Sequence, residues 1–342
     1  MFEALPVYLN TALFLLAAAA VWFAAVRLTR RADAIATRTG LGQEMVGLLL
    51  LGGATSLPEL AVAATATVQG SPTLTINDLL GSAAINVILL ALADAAIRRR
   101  ALTSVQGSPK VILVGVLGIV MMALVIAPSI TGDVNLLGMG RWTWLMLLVY
   151  AAAVWVMAHS HAELAWQPLG DDLPGAPREE IDPAAESVAR LAVGAAGAAA
   201  VILVAGFVLA RTGDAIAGQT GLGTSFFGVV FLALATSLPE ASTVLAAVRL
   251  KRYEMAISDV LGTNLFNVTI IVLVDALHPG GPVLVEAGPF ASFAALLALV
   301  LTCLFLIGLV ERRDRTIGRL GIDSVAALLT YAGGLGVLYA MR

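Results

Sequence analysis

The sequence predicts an all-α integral membrane protein with ten transmembrane helices in two inverted five-helix repeats. Its mean hydropathy is +0.94, and only 13% of its residues are charged, whereas soluble domains carry about 25%. A helix needs about 20 apolar residues to cross the hydrocarbon of a bilayer. Ten stretches approach that length, centred near residues 17, 57, 85, 117, 149, 199, 237, 265, 297 and 331.

A duplicated string predicts the repeat. Ala-Thr-Ser-Leu-Pro-Glu occurs at Ala54–Glu59 and again at Ala235–Glu240, 181 residues later. Further pairs share this offset without a gap: Asp33 with Asp214, Gly47 with Gly228, Asp78 with Asp259, Gly81 with Gly262, Asn86 with Asn267, and Asp94 with Asp275. We therefore expect one half at residues 1–158 with its repeat at about 43–97, a polar cytoplasmic linker at 159–190, and a second half at 191–342 with its repeat at about 224–278.

The basic residues predict the orientation. Five spans in each half would make the second half enter the membrane from the opposite side, and cytoplasmic loops collect Lys and Arg. The connection at 27–38 carries four arginines, whereas its counterpart carries only Arg211. Placing both termini outside the cytoplasm puts 17 of the 20 basic residues inside. The first apolar run lacks a basic leader and a cleavage site, so we expect a retained first helix in a prokaryotic plasma (inner) membrane, surrounded by the lipid bilayer.

The repeated string carries the chemistry of a cation site. A carboxylate within an apolar run is costly in lipid and indicates a functional site by default. Pro58 and Pro239 each lack an N–H and disturb the preceding helical turn, and broken helices at membrane depth line cavities or bind ions. The hydroxyls three and four residues before each glutamate share its helix face. Hard cations such as Ca²⁺ take 6–8 oxygen ligands of these kinds.

The span after each string adds a second set of oxygens. Asp78, Ser82 and Asn86 are spaced by four residues, as are Asp259, Thr263 and Asn267, so each triplet follows one helix face. Together with the two glutamates they could surround one divalent cation, or monovalent ions at neighbouring positions. Gly81 and Gly262 on the same helices are expected to allow close helix approach. A single cysteine, Cys303, excludes an intramolecular disulfide, and the lack of nearby His or Cys argues against zinc or copper.

These residues resemble a known family. Gly53-Ala-Thr-Ser-Leu-Pro-Glu59 followed by Leu80-Gly-Ser-x₃-Asn86, and Ala235-Thr-Ser-Leu-Pro-Glu240 followed by Leu261-Gly-Thr-Asn-Leu-Phe-Asn267, are similar to the two α-repeats of prokaryotic members of the sodium/calcium exchanger family, within the calcium/cation antiporter superfamily. The resemblance covers essentially the whole chain. It implies inverted five-helix halves that exchange Na⁺ for Ca²⁺ by alternating access, with no resident cofactor.

The resemblance also implies a role for each motif position. Glu59 and Glu240 would be the central Ca²⁺ ligands, Thr55 and Thr236 would offer backbone carbonyls, and the other positions would supply further oxygens: Ser56, Ser237, Ser82 and Thr263 for Na⁺, with Asn86 and Asn267 completing the centre. Ala83 replaces an asparagine of the family, and Asp78 and Asp259 stand where the family usually has asparagine. We expect these two aspartates to line access paths on opposite sides of the centre and to concentrate cations.

Other functions fit the sequence less well. A Ca²⁺/H⁺ antiporter is the main alternative, because buried glutamates can exchange protons for a divalent ion. A cation channel would need a ring of identical ligands. An enzyme fits the sequence least well, since no nucleophile–base set or cofactor motif is present. We expect Na⁺ and Ca²⁺ as ligands, no nucleic acid and no obligate protein partner. Asp94 and Asp275 are interpreted as interfacial caps outside the site.

Overall fold

A computed structural model shows a helical protein with two short β-hairpins. It describes residues 2–39, 52–95, 97, 102–105, 109–159, 187–249, 251–311, 316–318 and 320–342. Most of the predicted linker at 159–190 and the start of the first repeat lie outside the described residues.

The first half contains seven described helices and one hairpin. A 3₁₀ turn at Phe2–Ala4 precedes them. In chain order they are α1 (Val7–Thr39), α2 (Gly52–Thr55), α3 (Leu57–Val68), α4 (Pro72–Asp94), α5 (Leu102–Val105), α6 (Pro109–Thr131), the strands β1 (Asn135–Leu136) and β2 (Met139–Gly140), and α7 (Arg141–His159).

The second half repeats this order, except that a single helix takes the place of α5 and α6. Its elements are α8 (Val188–Thr220), α9 (Thr224–Thr236), α10 (Leu238–Arg249), α11 (Tyr253–Leu277), α12 (Val283–Glu311), β3 (Thr316–Ile317), β4 (Leu320–Gly321) and α13 (Ile322–Met341). Residues Gly228–Leu232 within α9 form a π-helical turn. Helices α1 and α8 are offset by 181 residues at both ends, as are α3 and α10 and the two antiparallel hairpins. The 181-residue repeat of the sequence is therefore also present in the secondary structure.

Most predicted spans are long enough to cross a membrane. Among the described residues, seven single helices have the necessary length and apolar composition, and α9 with α10 makes an eighth as a bent pair. Two shorter apolar helices, Leu57–Val68 and Arg141–Val156, occupy the second and fifth predicted positions. The chain is therefore a multi-span helical protein, whereas the number ten and the inverted orientation stay predictions.

Helices α4 and α11 form the centre of the molecule. In the most apolar 18-residue stretch of each helix, 89% of the residues of α4 and 67% of those of α11 are buried, compared with 22% for α13. Both helices have buried residues on every face, which is typical of a helix enclosed by other helices. They pack on each other, α4 also packs on α12 and α11 also packs on α6, while α1 packs mainly along α8 at the side. The two central helices carry both predicted polar triplets.

Asp94 ties the end of α4 to the opposite half of the chain. One carboxylate oxygen accepts a hydrogen bond from the backbone N–H of Leu102 at 2.6 Å. The other accepts from the N–H of Gly321 at 2.5 Å and from Ser324 Oγ at 3.0 Å. Asp94 is 1% exposed, so it caps the beginnings of α5 and α13 from inside the protein.

Asp275 makes the reciprocal set of contacts. It accepts from the N–H of Val283 at 2.8 Å, from the N–H of Gly140 at 2.7 Å and from Thr143 Oγ1 at 2.5 Å. Each of these three donors lies 181 residues from its counterpart around Asp94. The two aspartates are therefore caps, as interpreted from the sequence, but each one also binds the start of the last helix of the other half.

Replacing Asp94 or Asp275 with Ala should lower the stability of the folded protein. Each change leaves buried backbone donors unpaired, at a cost of about 1–3 kcal/mol for each donor. Thermal unfolding in detergent, followed by size-exclusion chromatography, measures the loss. Glu286→Gln is the matched control, because this carboxylate is half-exposed and pairs only with His278 among the described residues. Equal melting temperatures for all three variants would contradict the capping role.

Candidate cation-binding site

Both repeated strings interrupt their helices at the serine. Helix α2 ends at Thr55 and α3 begins at Leu57, and Ser56 between them has φ −76° and ψ 4°. Ser237 separates α9 from α10 with φ −79° and ψ 5°, and these two helices meet at a 42° bend. The proline two residues later cannot donate a backbone hydrogen bond. The helix break predicted from the sequence is confirmed in both halves.

The breaks place the two glutamates in the interior without a cationic partner among the described residues. Glu59 and Glu240 are both 0% exposed. None of their four carboxylate oxygens accepts a hydrogen bond of normal geometry from the residues that the structure describes, but the hydroxyl of Thr236 lies near Glu59 and that of Thr55 near Glu240. Burial of an unpaired carboxylate is strongly unfavourable unless it binds a cation or a proton. The pair therefore constitutes a site that requires a positively charged ligand.

Hydroxyl groups from the two halves meet around these glutamates. Thr236 Oγ1 of the second string lies 3.1 Å from Ser82 Oγ on α4. Thr55 Oγ1 of the first string lies 3.4 Å from Thr263 Oγ1 on α11. These four residues are buried, and the two contacts are related by the 181-residue offset. Each string thus faces the polar helix of the other half, which brings the two predicted half-sites together.

Amide side chains form the contact between α4 and α11. Asn86 Nδ2 donates to Asn264 Oδ1 at 3.0 Å, and Asn264 Nδ2 donates to the carbonyl of Ala83 at 3.0 Å. Asn86 Oδ1 and both polar atoms of Asn267 are buried without a hydrogen-bond partner among the described residues. Asn264 was absent from the predicted site. Its position beside Thr263 in the second repeat was the available signal, but the contact with Ala83 required the helix packing.

Asp78 and Asp259 are buried, at 0% and 1% exposure. In this conformation they therefore do not line a path that is open to solvent. Asp78 Oδ1 accepts from Thr236 Oγ1 at 3.1 Å, and Asp78 lies within electrostatic range of both glutamates. Asp259 accepts a short hydrogen bond from Thr243 in its own half. Thr243 was not among the predicted site residues, because its counterpart in the first repeat is Val62 and the duplication does not mark it.

The acidic groups do not form a closed carboxylate cage. Within the described part of the chain, no three Asp, Glu, His or Cys side chains are grouped closely enough to hold one metal ion. A cation between the glutamates would therefore need hydroxyl, amide or carbonyl oxygens to complete its shell. Ca²⁺ and Na⁺ accept such neutral oxygens. Ser237 Oγ, buried and without a partner among the described residues, is available for this purpose.

Two glycines hold the broken helices against their neighbours. A Cβ on Gly81 of α4 would lie 2.3 Å from the carbonyl oxygen of Val229, within the π-helical turn of α9. A Cβ on Gly206 of α8 would lie 2.9 Å from the Cα of Pro58. The close approach expected at Gly81 is confirmed. Gly206 brings α8 directly onto the proline of the first string.

The fold and this site define a class of protein. A multi-span helical chain with two related halves, whose broken helices carry buried carboxylates and hydroxyls between them, has the architecture of a secondary cation transporter.

Sequence comparison establishes the family. The profile of the family described as "Sodium/calcium exchanger protein" matches residues 9–159 and again 190–340. The chain therefore belongs to the sodium/calcium exchanger protein family and is a multi-pass cation antiporter in that broad sense. The profile matches each half separately.

Individual relatives extend over nearly the whole chain. CaxA of Alkalimonas amylolytica, named as a candidate antiporter, is 27% identical over 308 residues, covering 87% of this chain and 90% of CaxA. The inner membrane protein YrbG of Escherichia coli K12 is 27% identical over 337 residues, covering 97% and 96%. The sodium-calcium exchanger NCX_Mj, soaked with Na⁺ and Sr²⁺, has the same fold with a TM-score of 0.66 at 16% identity, covering 97% and 99%.

Gly81→Ala should disrupt the packing of α9 on α4. The added methyl group would meet the backbone of Val229, and overpacking of this kind typically costs about 1–3 kcal/mol. Gly118→Ala is the control, because a Cβ there meets nothing within 4 Å and alanine favours a helix more than glycine does. Thermal unfolding of both variants tests the contact. If Gly81→Ala is as stable as Gly118→Ala, the close approach is wrong.

Proposed function

We propose that this protein exchanges Na⁺ for Ca²⁺ across the membrane by alternating access. The observation that carries the proposal is the pair of buried glutamates, Glu59 and Glu240, whose oxygens pair with no cationic side chain and accept no hydrogen bond of normal geometry among the described residues. Hydroxyls of both halves flank them. The proposed ligand set comprises the two glutamates with Thr55, Thr236, Ser56, Ser237, Ser82, Thr263, Asn86 and Asn267.

The charges of this set suit calcium. Two carboxylates neutralise one divalent cation, and the remaining ligands are neutral oxygens of the type that Ca²⁺ and Na⁺ share. When Ca²⁺ leaves, Na⁺ ions at neighbouring hydroxyls restore a positive charge near the same carboxylates. The two cations would therefore use overlapping oxygens and compete for one centre.

Burial explains why transport should be an exchange. An empty centre would leave two carboxylates desolvated and uncompensated, which costs several kcal/mol for each ion. The passage between outward-open and inward-open states through a closed centre is therefore favourable only when cations fill it. A protein with this constraint returns loaded with the counter-ion, which makes it an antiporter. Inverted halves that exchange conformations would open the centre to either side in turn.

The burial of Asp78 and Asp259 favours a second candidate function, Ca²⁺/H⁺ exchange. They bring the number of buried carboxylates around the helix breaks to four, and a carboxylate without a cation can carry a proton instead. The Ser and Thr oxygens beside the glutamates favour Na⁺. A channel would use identical ligands arranged around a pore, whereas these ligands come from two related halves of one chain. We propose a transporter with no enzymatic step and no resident cofactor.

The proposed location is the prokaryotic inner membrane, which agrees with the name of the relative YrbG. Both termini would be extracytoplasmic, because this places most basic residues in the cytoplasm. Its ligands would be Na⁺ and Ca²⁺, without nucleic acid or an obligate protein partner.

Uptake of ⁴⁵Ca²⁺ into proteoliposomes under an imposed gradient distinguishes these functions. We expect an outward-directed Na⁺ gradient to drive uptake and an outward-directed H⁺ gradient of equal size to fail. Uptake driven only by H⁺ would establish the alternative. Rapid Ca²⁺ flux that responds to neither gradient would indicate a channel.

Glu59→Gln and Glu240→Gln should each reduce Na⁺-driven uptake to the level of liposomes without protein. The amide keeps the size of the side chain but removes one of the two charges that balance Ca²⁺. Glu286→Gln, a surface carboxylate outside the centre, should transport like the unchanged protein. Full transport by either central variant would remove the assignment of these glutamates.

The double variant Asp78→Asn, Asp259→Asn should raise the Ca²⁺ concentration needed for half-maximal uptake. The loss of two carboxylates weakens the electrostatic attraction for cations approaching the centre. The asparagine side chains can still accept from Thr236 and Thr243, so folding should be retained. Identical uptake at every Ca²⁺ concentration would eliminate a role for these aspartates in attracting cations.

A further inference from the structure

A groove runs along the outer face of the packed helices α1 and α8. Its first section has a volume of about 520 Å³ and apolar walls. Leu16 and Val204 on these walls are both 67% exposed, so the groove opens to the outside of the helical protein. The second section has a volume of about 490 Å³ and shares Ala20 and Val201 with the first. The two sections are therefore one continuous surface feature.

The second section ends at two arginines. Arg27 and Arg31 line it together with Phe23, Gly194 and Gly197. At a rise of about 1.5 Å per residue, the eleven residues from Ala20 to Arg31 span about 16 Å. That is about half of a hydrocarbon core roughly 30 Å thick. With the midplane at the predicted centre of this span near residue 17, Arg27 lies about 15 Å and Arg31 about 21 Å from the midplane, at the headgroup level of one leaflet.

The positive charge of these arginines is not neutralised within the described part of the chain. Arg31 Nη1 donates to the carbonyl of Gly194 at 2.6 Å, which fixes the side chain across the groove. Arg27 Nη1 donates to the carbonyl of Phe23 at 3.4 Å. Neither guanidinium group has a carboxylate partner among the described residues. Both retain N–H donors that can bind an anion.

We propose that this groove binds one anionic phospholipid. An acyl chain would lie along the apolar section between α1 and α8, and the phosphate would bind Arg27 and Arg31. Basic pockets between transmembrane helices on the cytoplasmic side suit anionic headgroups, and guanidinium–phosphate hydrogen bonds are among the stronger ones. The inside location predicted for both arginines places the headgroup in the cytoplasmic leaflet.

The bound lipid would lie one helix away from the cation centre. Ala205 lines the groove, and the next residue, Gly206, packs against Pro58. A lipid that orders α1 and α8 therefore acts on a helix in direct contact with the first broken string. The binding itself does not depend on which ions the protein exchanges.

Native mass spectrometry of the full chain with added lipid tests the proposal. Phosphatidylglycerol and phosphatidylcholine with the same acyl chains are the two probes. We expect retention of one phosphatidylglycerol per chain with about a tenfold preference over phosphatidylcholine, because two basic side chains contact its headgroup. The variant Arg27→Gln, Arg31→Gln should lose this preference. Equal retention of the two lipids by the unchanged protein would overturn the proposal.

Two further variants separate this site from a general effect of charge. Arg30→Gln removes an exposed arginine of the same helix that lines neither section of the groove, so the preference should persist. Val201→Trp fills the junction of the two sections and should weaken retention of both lipids. Loss of the preference in Arg30→Gln, as in the double variant, would indicate non-specific attraction. If the unchanged protein forms dimers and Val201→Trp abolishes them, a second copy of the chain occupies the groove. That result would overturn the proposal of a bound lipid.

Discussion

The structure is organised around two carboxylates that the protein buries but does not neutralise. Glu59 and Glu240 lie in the interior with no cationic side chain and no hydrogen bond of normal geometry among the described residues. A soluble core would exclude such groups, so they can persist only with a cation or a proton between them. The helix breaks at Ser56 and Ser237 and the surrounding hydroxyls follow from this requirement, because they expose oxygens that a regular apolar helix would not offer.

The two halves hold this centre by exchanging contacts. Thr55 and Thr236 each meet a hydroxyl of the opposite half, and Asp94 and Asp275 each cap a helix of the opposite half. The same 181-residue offset relates both pairs of contacts. Neither half could complete the site or its helix caps alone, so the duplicated sequence specifies an assembly of two halves rather than two independent domains.

Features that depend on local sequence were predictable, and those that depend on contacts between helices were not. Proline chemistry at Pro58 and Pro239 placed the breaks, and the short polar side chain of Asp94 at a helix end indicated a cap. The hydrogen bond from Thr243 to Asp259 has no counterpart in the first repeat. The contact of Asn264 with Ala83 joins two helices, and the sequence pattern does not predict how these helices pack against each other. The sequence likewise predicted a close approach at Gly81 but not that its neighbour is a π-helical turn.

The differences between the halves bear on the proposed transport cycle. If alternating access exchanges the conformations of two halves, identical halves would give inward-open and outward-open states of equal energy. Here Asp78 binds Thr236 across the halves, whereas Asp259 binds Thr243 within its own half. A conformational exchange would have to break the first contact but could preserve the second. These unequal contacts therefore provide a physical basis for a preferred resting orientation, independent of the cations that occupy the centre.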